Sequence, residues 1–76
     1  MEKNRIRANA IRLWEQLDFP LNRRWSYSEL KERLGLDDFE LTLAIGWLAR
    51  ENNIEIETDA GTGEKRFHLY SVSFFG

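Results

Sequence analysis

The chain has 76 residues, 42% hydrophobic and 13% aromatic, which excludes a disordered segment and leaves room for one small core. It has no cysteine, so disulfides, thiolate metal sites and a thiol nucleophile are excluded. The net charge of −2 argues against a strongly basic nucleic-acid binder, although residues 1–34 carry eight Lys/Arg against five Asp/Glu (+3) and residues 35–76 three against eight (−5).

Any phosphate-facing surface is therefore expected from the first half. No apolar run approaches the roughly 20 residues of a membrane span. The opening "MEKNRIRANA" lacks the apolar stretch of a secretory signal. A cytoplasmic protein without a membrane partner is expected.

The first helix is predicted over about residues 4–18. Ile6, Ala10, Leu13, Trp14 and Leu17 recur on one stripe of a 3.6-residue period, with Arg5, Arg7, Arg12 and Glu15 off it. Asp18-Phe19-Pro20 ends it, because proline disfavours helical backbone in the residue before it. "PLNRRW" then reads as a short polar link.

A second helix, about 27–34, is announced by a capping box of Ser26 and Glu29, with Trp25 and Leu30 placed as a hydrophobic staple. Gly35 is a natural stop. Asp37 with Glu40 and Leu36 with Leu41 repeat both patterns, so a third helix is predicted over about 38–52. Two helices joined by so short a turn with glycine form the helix-turn-helix signature.

The period then falls from 3.6 to 2. "IEIET" sets Ile54 and Ile56 inward and Glu55 and Glu57 outward, while "KRFHLYSV" sets Phe67 and Leu69 inward and Arg66, His68 and Tyr70 outward. "DAGTGE" supplies the turn of a hairpin over about 54–72. The predicted class is α+β: a winged helix-turn-helix of three helices followed by a two-stranded antiparallel wing, one domain over 1–76.

The run "LAIGWLARENNI", preceded by "IRANAIRLWEQL", resembles a small microbial family of winged helix-turn-helix proteins known only as a domain of unknown function. The strongest part is Gly46 to Glu51; the Asn9/Trp14 pair in the first helix is a weaker echo. The likeness extends from about Arg5 to Phe75. It implies the fold and a homodimer, and no activity or binding residue.

The third helix carries two apolar stripes. Leu41, Ala44, Ile45 and Leu48 form one; Phe39, Leu43 and Trp47 form another, well round the helix at about 100° per residue. The first suits the other helices. The second is either the domain's own core or a dimer contact, joined in the latter case by the first helix and by Phe74 and Phe75 of the "SVSFFG" tail. As a DNA reader this helix is poor, since its first turn, where base edges are normally met, holds Asp37, Asp38 and Glu40. Phosphate contacts remain open to Arg5, Arg7, Arg12, Arg23 and Arg24, helped by Lys31 and Arg33, with Lys65 and Arg66 on the wing.

Enzyme chemistry is not expected. His68 is the only histidine, so Ser–His arrangements and metal clusters lose most of their parts. Gly61 and Gly63 precede no helix with a Lys-Ser/Thr pair and make no phosphate loop. The expectation is a binding or assembly module, homodimeric, with a possible further protein partner and with no cofactor or metal. The alternative is a DNA-binding regulator that uses the Arg-rich first half and the wing.

Overall fold

Two reciprocal caps organise the helical half. In the computed structural model, which describes residues 2–18, 23–51 and 54–69, the Glu29 N–H donates to Ser26 Oγ at 3.1 Å and the Ser26 N–H to Glu29 Oε1 at 2.9 Å. Likewise the Glu40 N–H donates to Asp37 Oδ1 at 2.7 Å and the Asp37 N–H to Glu40 Oε1 at 3.4 Å. Each pair satisfies amides that a helix start leaves without partners. Between them Gly35 adopts φ 65°, a left-handed conformation that closes the preceding helix by donating its N–H to Lys31 O.

The elements run α1 (Lys3–Asp18), β1 (Trp25–Ser26), α2 (Tyr27–Leu34), α3 (Asp38–Arg50), β2 (Ile54–Thr58) and β3 (Lys65–Leu69). The third helix stops at Arg50, short of the expected residue 52; residues 52 and 53 lie outside the described segments. The expected tail of the hairpin, residues 70–72, also lies outside them, as do Phe74 and Phe75.

The wing has three strands, not two. The sheet order is β1-β3-β2, all antiparallel, with Trp25 opposite Phe67 and Ile56 also opposite Phe67. The added strand lies in what reads as a polar link, and two residues are too few to show a period of two. Ser26 thus serves at once as the last residue of β1 and the N-cap of α2.

The core gathers Leu13 and Leu17 of α1, Trp25, Leu30 of α2, Leu41 and Ala44 of α3, and Phe67 of β3. The first apolar stripe of α3 is buried throughout, as its spacing requires. On α1 the buried residues are Asn9, Ala10, Leu13 and Leu17, so the predicted stripe is turned slightly. Trp14 follows Leu13 by one residue, about 100° round the helix, and its ring is left 40% exposed. Ile56 departs similarly from its inward expectation, at 46% exposed, because the helices cover Ile54 but not the middle of the edge strand.

Candidate functional site

α1 and α3 lie side by side and share the same end of the molecule. Arg5 near the start of α1 pairs with Glu40 in the first turn of α3 at 3.1 Å. Farther along, Arg7, Ala10, Ile11 and Trp14 line an open groove with Trp47 and Leu48, of about 220 Å³. Helical periodicity puts Arg7, Ile11 and Trp14 on one outward edge of α1. Ile11 is 50% exposed, so an apolar ridge borders the recess.

The second stripe of α3 divides along its length. Phe39 is 64% exposed and belongs to no core; Leu43 is half-buried; Trp47, also half-buried, packs against the core. The reading of all three as the domain's own core is therefore corrected at Phe39, while Leu43 and Trp47 are partly covered. Large exposed apolar side chains cost free energy in water, about 25 cal/mol for each Å², and clusters of them mark contact surfaces. Sequence reasoning missed Ile11 and Trp14 as surface residues. The missed signal was the first helix's second apolar edge, Ile11 with Trp14 at i, i+3.

The predicted phosphate contacts are spread over the molecule, and most are engaged. Arg5 pairs with Glu40, Arg23 with Glu29 at 2.8 Å, Arg24 with Glu57 at 3.2 Å, and Arg66 with Glu64 at 3.0 Å and Glu29 at 3.8 Å. Arg12 donates to the Leu34 carbonyl at 2.7 Å, and Lys65 to the Thr58 hydroxyl. Of the two helpers, Lys31 pairs with Asp38 at 3.1 Å, and the guanidinium of Arg33 lies 5.5 Å from the centre of the Trp25 ring. Arg7 lies in the apolar groove. At the joint helix N-termini a wider opening of about 590 Å³ is lined by Glu2, Arg5, Asp37 and Glu40. Three carboxylates face one guanidinium there, at the N-terminal end of α3, where a DNA-reading helix-turn-helix meets base edges.

Four other carboxylates, Glu29, Asp38, Glu57 and Asp59, are held below their ordinary range. The Ser26 backbone N–H, then Arg23, lowers Glu29; the Tyr27 hydroxyl, then Lys31, lowers Asp38. Arg24, then His68, lowers Glu57, and the Thr62 and Gly61 N–H groups lower Asp59. A depressed folded-state value adds stability that is complete above the unfolded value and is lost as pH falls through the folded one. The urea midpoint is expected to be level above about pH 5 and to fall below the ordinary glutamate value of 4.5. Glu29→Gln, which keeps the capping geometry, should reduce that fall; an identical acid limb in the variant contradicts the assignment.

Among the described residues no helix is long and apolar enough to cross a membrane. A family model described as a winged helix-turn-helix domain, DUF2582, matches residues 1–67. The solution NMR structure of protein BT2368 from Bacteroides thetaiotaomicron superposes with a TM-score of 0.76 at 33% identity, over 91% of this chain and 79% of that one. No curated protein matches the chain.

Proposed function

The chain belongs to a family of winged helix-turn-helix domains of unknown function, and from that footing we propose that it is a non-enzymatic assembly module that pairs with a second copy of itself through the α1/α3 groove. The observation that carries this reading is the groove itself, where a projecting apolar edge, Ile11 and Trp14, lies beside a recess floored by Trp47 and Leu48. A two-fold interface presses the same patch against itself, so one patch must offer both a knob and a hole. This patch offers both. Tryptophan is also the side chain most enriched among residues that dominate binding energy. In the assembled state Phe39 extends the apolar contact along α3.

The electrostatics support a protein partner over a nucleic acid. A phosphate backbone is bound by cations that are free to release its counterions, whereas Arg5, Arg23, Arg24 and Arg66 already face carboxylates. The first turn of α3 carries Asp38 and Glu40, beside the cap Asp37.

Light scattering over a dilution series tests the reading. The expected mass at high concentration is twice the monomer's 9.0 kDa, falling toward the monomer on dilution. A constant monomer mass, together with salt-sensitive binding to a mixed-sequence DNA duplex, favours the regulator instead.

A further inference from the structure

The outward face of the wing brings together three side chains that are separate in sequence. Glu55 and Glu57 are two residues apart on β2 and therefore share a face. The register sets Glu55 directly opposite His68 of β3. His68 Nε2 lies 2.6 Å from Glu57 Oε1 and 3.6 Å from Glu55 Oε2, and the three ligand atoms all fall within 4.8 Å of one another. His68 points outward as its alternation requires, yet its side chain is only 12% exposed, held between these carboxylates.

The orientation of the imidazole gives a second observation. Nδ1 stands 3.1 Å from the carbonyl oxygen of Leu69 and Nε2 stands 2.6 Å from Glu57 Oε1, so each ring nitrogen faces an acceptor. A cation that displaces the Nε2 proton leaves Nδ1 tied to the backbone carbonyl, which is how metal-ligating histidines are fixed. Here the other nitrogen is aimed between two carboxylates.

We propose that Glu55, Glu57 and His68 form a three-ligand site for a first-row divalent cation of the Zn²⁺ type, joining β2 to β3. One imidazole and two carboxylates suit such a cation, whereas Mg²⁺ and Ca²⁺ take oxygen ligands. Tetrahedral Zn²⁺ with N and O ligands at about 2.0–2.2 Å sets those ligands roughly 3.4 Å apart. The Glu55–His68 spacing meets that already, and the Glu57–His68 contact opens by less than an ångström. Water completes the coordination on the open side. Arg24 is the competitor, because it donates to both oxygens of Glu57, at 3.3 and 3.2 Å. Arg66, opposite Glu57 on the same face, is drawn away toward Glu29 and Glu64. The site is on the sheet and is independent of the α1/α3 groove.

Titration calorimetry of the untagged protein with ZnCl₂, in a non-chelating buffer, is the test. Saturable one-to-one binding is expected, unaffected by equimolar Mg²⁺. His68→Gln should weaken it by more than about tenfold, and Arg24→Gln should tighten it severalfold by freeing Glu57. Circular dichroism establishes that each variant is folded, and the His68 ring signals in NMR report ligation in the unaltered protein. No saturable binding, His68 signals that do not move with Zn²⁺, or an Arg24→Gln variant that binds more weakly would each overturn the proposal.

Discussion

Replacing Trp25 with alanine is expected to lower the unfolding free energy by about 3–5 kcal/mol, the usual cost of deleting a buried large aromatic ring. The ring is 1% exposed and lies in the core. It also holds β1 against β3 opposite Phe67, and the Arg23 guanidinium stacks 3.8 Å from its centre. Domains of this size have only about 5–10 kcal/mol in total, so the variant should be largely unfolded in modest urea. A partial rescue separates ring volume from polarity. The Trp25 indole N–H is buried without a hydrogen-bond partner among the described residues. An unpaired buried donor costs roughly 1–3 kcal/mol, so Trp25→Phe should recover more than half of the loss. Urea unfolding followed by circular dichroism checks both. A Trp25→Ala loss below about 1 kcal/mol would mean that the ring is not core.

Trp14→Glu should instead leave the fold standing and dissolve the assembly. Its ring is 40% exposed in the monomer, so the expected loss of stability is below about 2 kcal/mol. At the centre of a two-fold contact the charge is met twice, once from each copy. A residue of that kind costs at least about 2 kcal/mol of association, roughly a 30-fold rise in dissociation constant. Sedimentation equilibrium reads this directly. Arg24→Glu, outside the groove and engaged with Glu57 of the sheet, should leave the association constant unaltered. An unchanged dimer in Trp14→Glu would place the contact elsewhere.

What was legible in the sequence is what local chemistry dictates. Ser26/Glu29 and Asp37/Glu40 cap two helices as their spacing says, and Gly35 stops α2, because these contacts span only a few residues. Period-two alternation likewise placed Glu55, Glu57 and His68 on one side of the hairpin. Their proximity depends on register, which alternation alone does not fix, so the three were not recognisable as a group. β1 was hidden for a related reason: its two residues pair with a strand about forty positions away. The exposure of Trp14, Phe39 and Ile56 followed from how far neighbouring elements reach over them, a tertiary property that periodicity cannot carry. The same limit applies to the arginines. Sequence spacing showed a basic first half, and only the fold brought Asp38, Glu40 and Glu57 from the acidic half against it.

Three tryptophans provide the most direct measurement of the proposed self-association. Their indole N–H signals in a proton–nitrogen NMR spectrum report separately on the groove, through Trp14 and Trp47, and on the core, through Trp25. On diluting the protein from millimolar to micromolar concentration, the Trp14 and Trp47 signals are expected to move together along one binding curve while Trp25 stays fixed. Trp14 and Trp47 signals that remain still, in a protein whose mass nevertheless doubles, would contradict an interface at the α1/α3 groove.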